Sequence, residues 1–288
     1  MKTLSDYLKE KYGCKVYKLS LNGGFTCPNR DGTIGYDGCI FCSAGGSGEF
    51  CEDPGLDITQ QIDRAKDRVS KKMRNGKYIA YFQAYTGTYA PVNKLRKLYT
   101  EAIEHPDIVG LSIATRPDCL SDETLSLLSE LNKVKPVWIE LGLQTIHKKT
   151  AEYIRRGYDL EVYDEAVRKL HNIGIEVITH VIIGLPGETV EDMLDTVRYV
   201  CDKGSNGIKL QLLHILKNTD LEKEYNAGKV PVLTENEYID ILKACVSIIP
   251  ENVIIHRLTG DGDKKILVAP LWSGDKKHVW NRIQKEVL

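Results

Sequence analysis

Residues 176–214 read EVITHVIIGLPGETVEDMLDTVRYVCDKGSNGIKLQLLH. The apolar run at 176–183 stops in a glycine and proline loop. A helical stretch over 188–203 follows, with apolar residues at three-to-four spacing, and a second apolar run covers 207–214. This is one strand–helix–strand unit, and repeats of it build a parallel sheet. Outward from it the same alternation continues, with strands near 16–21, 78–84, 109–115 and 136–142 and helices near 57–74, 92–104, 121–132 and 160–173. Six βα repeats result. Ser121 and Asp159 signal helix starts, and Gly174 closes the helix before 176.

After 214 the rhythm changes. Helical stretches are expected near 219–227 and 234–248, a strand at VIIHRL (253–258) and a basic helix near 275–287. We therefore expect an α/β core over 1–215, with helices and a strand over 216–288 packed on the same domain. A length of 288 residues with 42% apolar content suits one barrel-sized domain. The opening MKTLSDYLKEKYG is charged and amphipathic, so neither a signal peptide nor a membrane span is expected and the chain is read as cytoplasmic. In that compartment eight cysteines are not a disulfide framework, and metal binding is the first alternative. A net charge of −1 excludes a wholly basic nucleic-acid binder and leaves local patches open.

In parallel barrels the chemistry sits where strands end. This sequence puts polar, glycine-rich segments there: NGGFTCPNRDG, QAYTGTYAP, ATRPD, GLQT, IGLPGET and HILKNTD. The strongest signal is CPNRDGTIGYDGCIFC at 27–42, in which eleven residues separate Cys27 from Cys39 and two separate Cys39 from Cys42. Gly32, Gly35 and Gly38 let the loop bend so that Cys27 meets the pair. Three thiolates suit a 4Fe-4S cluster with one iron left open. The alternative is zinc with Cys51 as a fourth ligand. Cys119, Cys201 and Cys245 read as small apolar residues, while Cys14 has no assigned role.

These residues resemble the radical S-adenosylmethionine superfamily, whose cluster motif has an aromatic residue before its last cysteine, here Phe41. The long gap departs from the usual three-residue spacing and resembles the branch of the Elongator catalytic subunit. The segments YFQAYTGTYAP, IATRPDCL, ELGLQT, HVIIGLPGET, KLQLLHILKNTDL and VIIHRLTGDG narrow the resemblance to YhcC/YtqA-type, MnmL-like radical proteins over the whole chain. The resemblance implies a partial (β/α)6 TIM-like barrel with a short C-terminal extension, a 4Fe-4S cluster on Cys27, Cys39 and Cys42, and S-adenosylmethionine across the strand ends. It implies methionine contacts from Gln83, Tyr85 and Thr86, although no GGE triplet is present. It implies ribose and carboxylate contacts from Arg116 and Gln144, with Glu140 earlier on the same strand as a further cofactor-binding residue, and adenine contacts from Ile182, Gly184 and Leu185.

The implied substrate is a tRNA wobble uridine, whose 5-carboxymethylaminomethyl group becomes 5-aminomethyl ahead of a methyltransferase. A flavodoxin or ferredoxin would supply the electron. Abstraction at the glycine-like methylene, oxidation to an imine and hydrolysis would release glyoxylate. Residue type makes Arg257 and His256 candidates for the substrate carboxylate. Three basic segments could meet RNA: 64–77, 264–285 and HKKTAEYIRRG (147–157). The last offers Lys148, Lys149, Arg155 and Arg156, with Tyr153 and Tyr158 to stack on bases. Charge runs are also ordinary solvated helix faces. Competing readings are a radical enzyme acting on a small metabolite or peptide, and a zinc-stabilised RNA-binding module without catalysis. The absence of a second cysteine triplet disfavours methylthiolation.

Overall fold

The computed structural model describes residues 2–70, 76–260 and 262–288. Six parallel strands, β2 (Val16–Leu21), β3 (Lys77–Phe82), β4 (Ile108–Thr115), β5 (Val137–Gln144), β6 (Glu176–Ile183) and β7 (Gly207–Leu212), lie side by side in chain order. Two more extend the sheet beyond the six repeats. β9 (Ile254–Arg257) pairs parallel with β7, and β1 (Lys2–Thr3) pairs parallel with β9. The result is an eight-stranded, curled half-barrel, open between β1 and β2. The VIIHRL segment is thus part of the main sheet. Its pairing partner lies in β7, which periodicity alone cannot identify.

Helices α2 (Ile58–Val69), α3 (Val92–Glu104), α4 (Asp122–Asn132), α6 (Leu160–Asn172) and α7 (Val190–Asp202) follow the strands. Local chemistry starts three of them: Asp57 and Gln60 form a capping box at α2, Ser121 caps α4, and Thr189 with Asp192 boxes α7. The expected helix over 57–74 ends at Val69, and 71–75 fall outside the described residues. The second basic stretch, 264–285, contains β10 (Leu267–Ala269), paired antiparallel with β8 (Ile215–Leu216), and most of α10 (Lys276–Glu286). The helices α8 (Asp220–Asn226) and α9 (Glu235–Ile248) lie between β8 and β9.

Because strand side chains alternate, one face of the sheet meets the helices and the other faces the barrel interior. Leu19, Leu21, Phe82, Ile113, Leu141 and Val181 pack outward against Ile62, Tyr99, Leu128, Tyr163 and Val197. Each such side chain contributes roughly 1.5–3 kcal/mol on burial. Inside, Ile79, Trp138 and Ile178 close the amino-terminal end of the barrel around Leu8 of α1 (Leu4–Tyr12). Thr3 caps that helix by accepting from the Asp6 amide, and Gly13 stops it at φ 68°. The charged opening segment is therefore a plug. Among the described residues no helix is long and apolar enough to cross a membrane.

Candidate active site

The carboxyl ends of the strands open into one cavity whose wall includes Cys27, Cys39 and Cys42. The eleven-residue gap is taken up by a compact turn. Ile34 donates its amide to Pro28 O and Gly38 donates to Asn29 O, each at 2.8 Å, with Gly38 at φ 73°. Arg30 then pins the second half of the motif, its Nη2 donating to Cys42 O at 2.9 Å and Ser43 O at 2.6 Å. Asn29 Nδ2 donates to Arg155 O at 2.7 Å, tying the loop to the segment after β5.

All three cysteines are unpaired thiols. Burial pushes Cys39 up to about 12, helped by Cys42 and opposed by Arg116. Burial also raises Cys42, against the pull of Arg30. Cys39 and Cys42, which burial holds protonated, share the wall with Cys27 and form a donor set that a cationic metal centre would deprotonate. Among the described residues no three His, Cys, Asp or Glu side chains close on a single metal-sized point. Cys51 does not line the cavity. Its thiol lies against the backbone amides of Ala84 and Gln83, and burial raises it to about 12. A four-thiolate zinc site is not assembled. The three-cysteine set, on one wall of an open cavity, fits a cluster with one iron exposed.

Most of the residues matched to S-adenosylmethionine line the same cavity, among them Gln83, Tyr85, Thr86, Arg116, Glu140 and Gln144. Gln83 Oε1 accepts from Ser20 at 2.9 Å. Tyr85, at φ 57°, donates its hydroxyl to Ala44 O at 2.5 Å, and Thr86 N donates to Thr26 O. At the end of β5 a register shift between Gly142 and Gln144 puts Gln144 at φ 71°. Its Oε1 is buried with no hydrogen-bond partner, an acceptor that a donor on a bound ligand would satisfy. Phe41 and Ile182 form an apolar part of the wall with Ile154.

Other residues sit elsewhere than their sequence context suggested. Gly184 and Leu185 are not on the cavity wall; Leu185 is buried with Ile40 and Leu213. Arg116 is buried and already engaged, gripping Asp118 at 2.9 and 2.7 Å and donating to Arg156 O at 2.8 Å. His256 is not on the wall. It lies in the barrel interior edge-on to Trp138, with Nδ1 unpartnered, and burial drives its pKa well below the ordinary histidine value. A register shift in the β7–β9 pairing sets Arg257, rather than His256, opposite Lys209 on the wall.

The basic segment also divides. Lys148 and Lys149 are exposed on α5 (Lys148–Tyr153), whereas Arg155 is paired with Asp220 at 2.7 Å. Arg156 is no surface cation. It is buried and donates to Thr145 O at 2.6 Å and Tyr158 O at 2.9 Å, so most of its donors are spent on backbone carbonyls and it is not displayed on the outer surface. Tyr158 turns inward, its hydroxyl on Gly142 O, and Tyr153 donates to Glu224. Neither ring is displayed for stacking on an outer surface.

Of the cavity floor, sequence reading named Glu140 but missed Lys18, His180 and Lys209 around it. Glu140 is fully buried, with Oε1 accepting from Lys18 and Ser112, each at 2.6 Å, and Oε2 accepting from His180 at 2.7 Å and from Lys209. Burial would raise Glu140, but Lys18, Lys209 and His180 hold it well below the carboxylate range. Burial lowers His180 to about 4, and lowers Lys209 to about 7 despite Glu140. The signal was present as Lys18, His180 and Lys209, each a lone charged or titratable residue on the inward register of an apolar strand.

Residues 24–200 match the Radical SAM superfamily and residues 205–288 match the Radical_SAM C-terminal domain. The chain is 46% identical over 285 residues to the uncharacterized protein YtqA of Bacillus subtilis, covering 99% of this chain and 88% of that one. It is 28% identical over 171 residues to a tRNA uridine(34) acetyltransferase of Methanocaldococcus jannaschii, covering 58% of this chain and 31% of that protein. Among solved structures, the archaeal Methanocaldococcus infernus Elp3 with an N-terminal deletion superimposes with a TM-score of 0.69 at 18% identity, over 94% of this chain and 63% of that one.

Proposed function

The chain belongs to the Radical SAM superfamily, and from that membership we propose that it is a cytoplasmic enzyme acting on the wobble uridine of tRNA, converting a 5-carboxymethylaminomethyl group to 5-aminomethyl. Cys27, Cys39 and Cys42 would hold the 4Fe-4S cluster, with Gln83, Tyr85, Thr86 and Gln144 around S-adenosylmethionine. Bound there, the pair supplies an electron and a hydrogen-atom acceptor for attack on an unactivated carbon–hydrogen bond. A flavodoxin or ferredoxin would be the electron source, and a wobble-uridine methyltransferase would follow.

The chain's own residues do the rest. Phe41, Ile154 and Ile182 make part of the wall apolar and keep water from reactive species. Arg116 and Arg156, on the cavity wall, brace the strand ends through backbone carbonyls and Asp118, so the loops that carry the cysteines and Gln144 stay in register. The single observation that carries the reading is the convergence of the three cysteines and the orphaned Gln144 acceptor on one cavity. Support for tRNA comes from the relative named for uridine 34, and from Lys148 and Lys149, exposed on the helix that leads to Ile154 at the cavity wall.

The test is anaerobic incubation of cluster-loaded protein with S-adenosylmethionine, a reductant and tRNA carrying the 5-carboxymethylaminomethyl group. Conversion to 5-aminomethyl with matching glyoxylate supports the proposal. Consumption of the tRNA without glyoxylate overturns the route. Turnover of a small metabolite or peptide but not of tRNA overturns the substrate.

A further inference from the structure

The half-barrel floor carries more positive charge than its one buried carboxylate can use. Glu140 is fully enclosed, and Lys18, behind it and off the cavity wall, already neutralises Oε1 at 2.6 Å. His180 adds no charge. Its Nε2 donates to Glu140 Oε2 while Nδ1 accepts from Gln211 at 3.1 Å, which is the neutral tautomer. Lys209 is therefore a second cation on a carboxylate that has one. It is only 3% exposed, and it faces the cavity.

Besides Glu140, among the described residues Lys209 Nζ reaches only Tyr81 Oη, at 3.2 Å, and the Tyr81 ring, with its centroid at 4.6 Å. An ammonium has three donors, so one N–H remains for a group in the cavity. Arg257, opposite Lys209 in the β7–β9 register, lines the same wall. Among the described residues the other carboxylates on that wall, Glu49 and Asp263, lie on loops beyond the strands, where Glu49 accepts from Ser43 and Asp263 from the Lys265 amide. Burying a surplus ammonium costs several kcal/mol unless an anion joins it or it gives up its proton, and the fall of Lys209 to about 7 on burial reflects that cost.

We propose that Lys209, with Arg257 beside it, is the subsite for a carboxylate on the substrate, and that Lys18 is a positioning residue that occupies Glu140 so that Lys209 can turn to the ligand. This rests on the proposed function for the identity of the substrate, but not for the existence of the subsite. A carboxylate fits better than a phosphate diester because one buried ammonium and one guanidinium at the closed end of a barrel match a compact terminal anion. The carboxylate-bearing end of the substrate would enter first.

Two measurements separate the subsite from the tRNA reading. In the first, reductive methylation of Lys209 in the cluster-loaded protein is followed by peptide mass spectrometry with acetate or acetamide as probe. Acetate should slow methylation several-fold and move its pH midpoint upward, while neutral acetamide should do neither. Equal effects of the two probes, or none, overturn the subsite whatever the substrate proves to be. In the second, tRNA carrying the carboxymethylaminomethyl group is compared with its carboxamide analogue. The native enzyme should prefer the acid by about 100-fold or more in kcat/KM. Lys209→Met should remove most of that preference, and Lys209→Arg should retain it. Turnover of both tRNAs at equal rates overturns the subsite and leaves the tRNA reading standing. Acetate protection without turnover of either tRNA does the reverse.

Discussion

Asn29, two residues after the first cysteine of the motif, donates its side-chain amide to the backbone carbonyl of Arg155 at 2.7 Å, so the cysteine loop and the segment after β5 are clamped by one buried amide. The same nitrogen lies 3.6 Å from Cys39 Sγ. Asn29→Ala should load a cluster but hold it poorly. The lost buried hydrogen bonds cost about 1–3 kcal/mol, and iron should be released faster after exposure to air, read as decay of the brown absorbance. Unchanged decay would show that the clamp does not govern retention.

Removal of any one of the three motif thiols should be more severe. Cys27→Ala, Cys39→Ala and Cys42→Ala should each purify anaerobically with little iron, whereas Cys201→Ala, on the flank of α7, should bind as much as the native chain. Iron and sulfide assays per chain decide it. Full iron in any of the three variants would remove that cysteine from the ligand set.

Glu140 should matter to stability as well as to chemistry. Glu140→Ala leaves Lys18 and Lys209 buried without their shared carboxylate, and stranding a buried charge costs about 3–5 kcal/mol. Urea unfolding should show a clear fall in midpoint. Substituting Lys18 and Lys209 by Met as well should recover part of it, because the stranded cations are then gone.

The floor also sets an acid limit. His180 titrates near 4 in the native state because burial, then Lys209, disfavour its cation, with Glu140 opposing, while the unfolded residue takes its proton near 6.5. Between these values only the unfolded chain is protonated, so stability falls as pH drops from 6.5 to 4, by on the order of 3 kcal/mol. Glu140 acts in the same direction below 4.5, since its native carboxyl stays ionised after the unfolded one has taken its proton. Lys209 works at the other end, and the cost of its buried cation relaxes above about 7. Thermal midpoints at pH 8, 6.5, 5 and 4 should show the steepest loss below 6.5. A flat profile there would contradict the charge assignments.

Much of this was legible in the chain. The strands at 16–21 and 176–183 and the helix at 92–104 follow from apolar periodicity, because each depends on neighbours close in sequence. The pairing of β1 with β9 joins residues about 250 positions apart, and the packing of Leu8 against Ile79, Trp138 and Ile178 is also long-range, so no local pattern encodes either contact. Arg156 shows the limit at the site. Charge and position made it a surface residue for RNA, while its backbone acceptors, Thr145 O and Tyr158 O, are visible only once the loop is folded. Lys209 carried a readable signal, a cation in the strand GIKLQL, whose meaning required Glu140 across the barrel.

The most direct test of the central claim is nucleoside mass spectrometry of tRNA from a strain lacking the gene. The account predicts a wobble uridine stalled at 5-carboxymethylaminomethyl, with 5-aminomethyl and its methylated product depleted, and restoration by the native gene but not by one encoding Cys39→Ala. An unchanged wobble nucleoside profile in the deletion strain would contradict it.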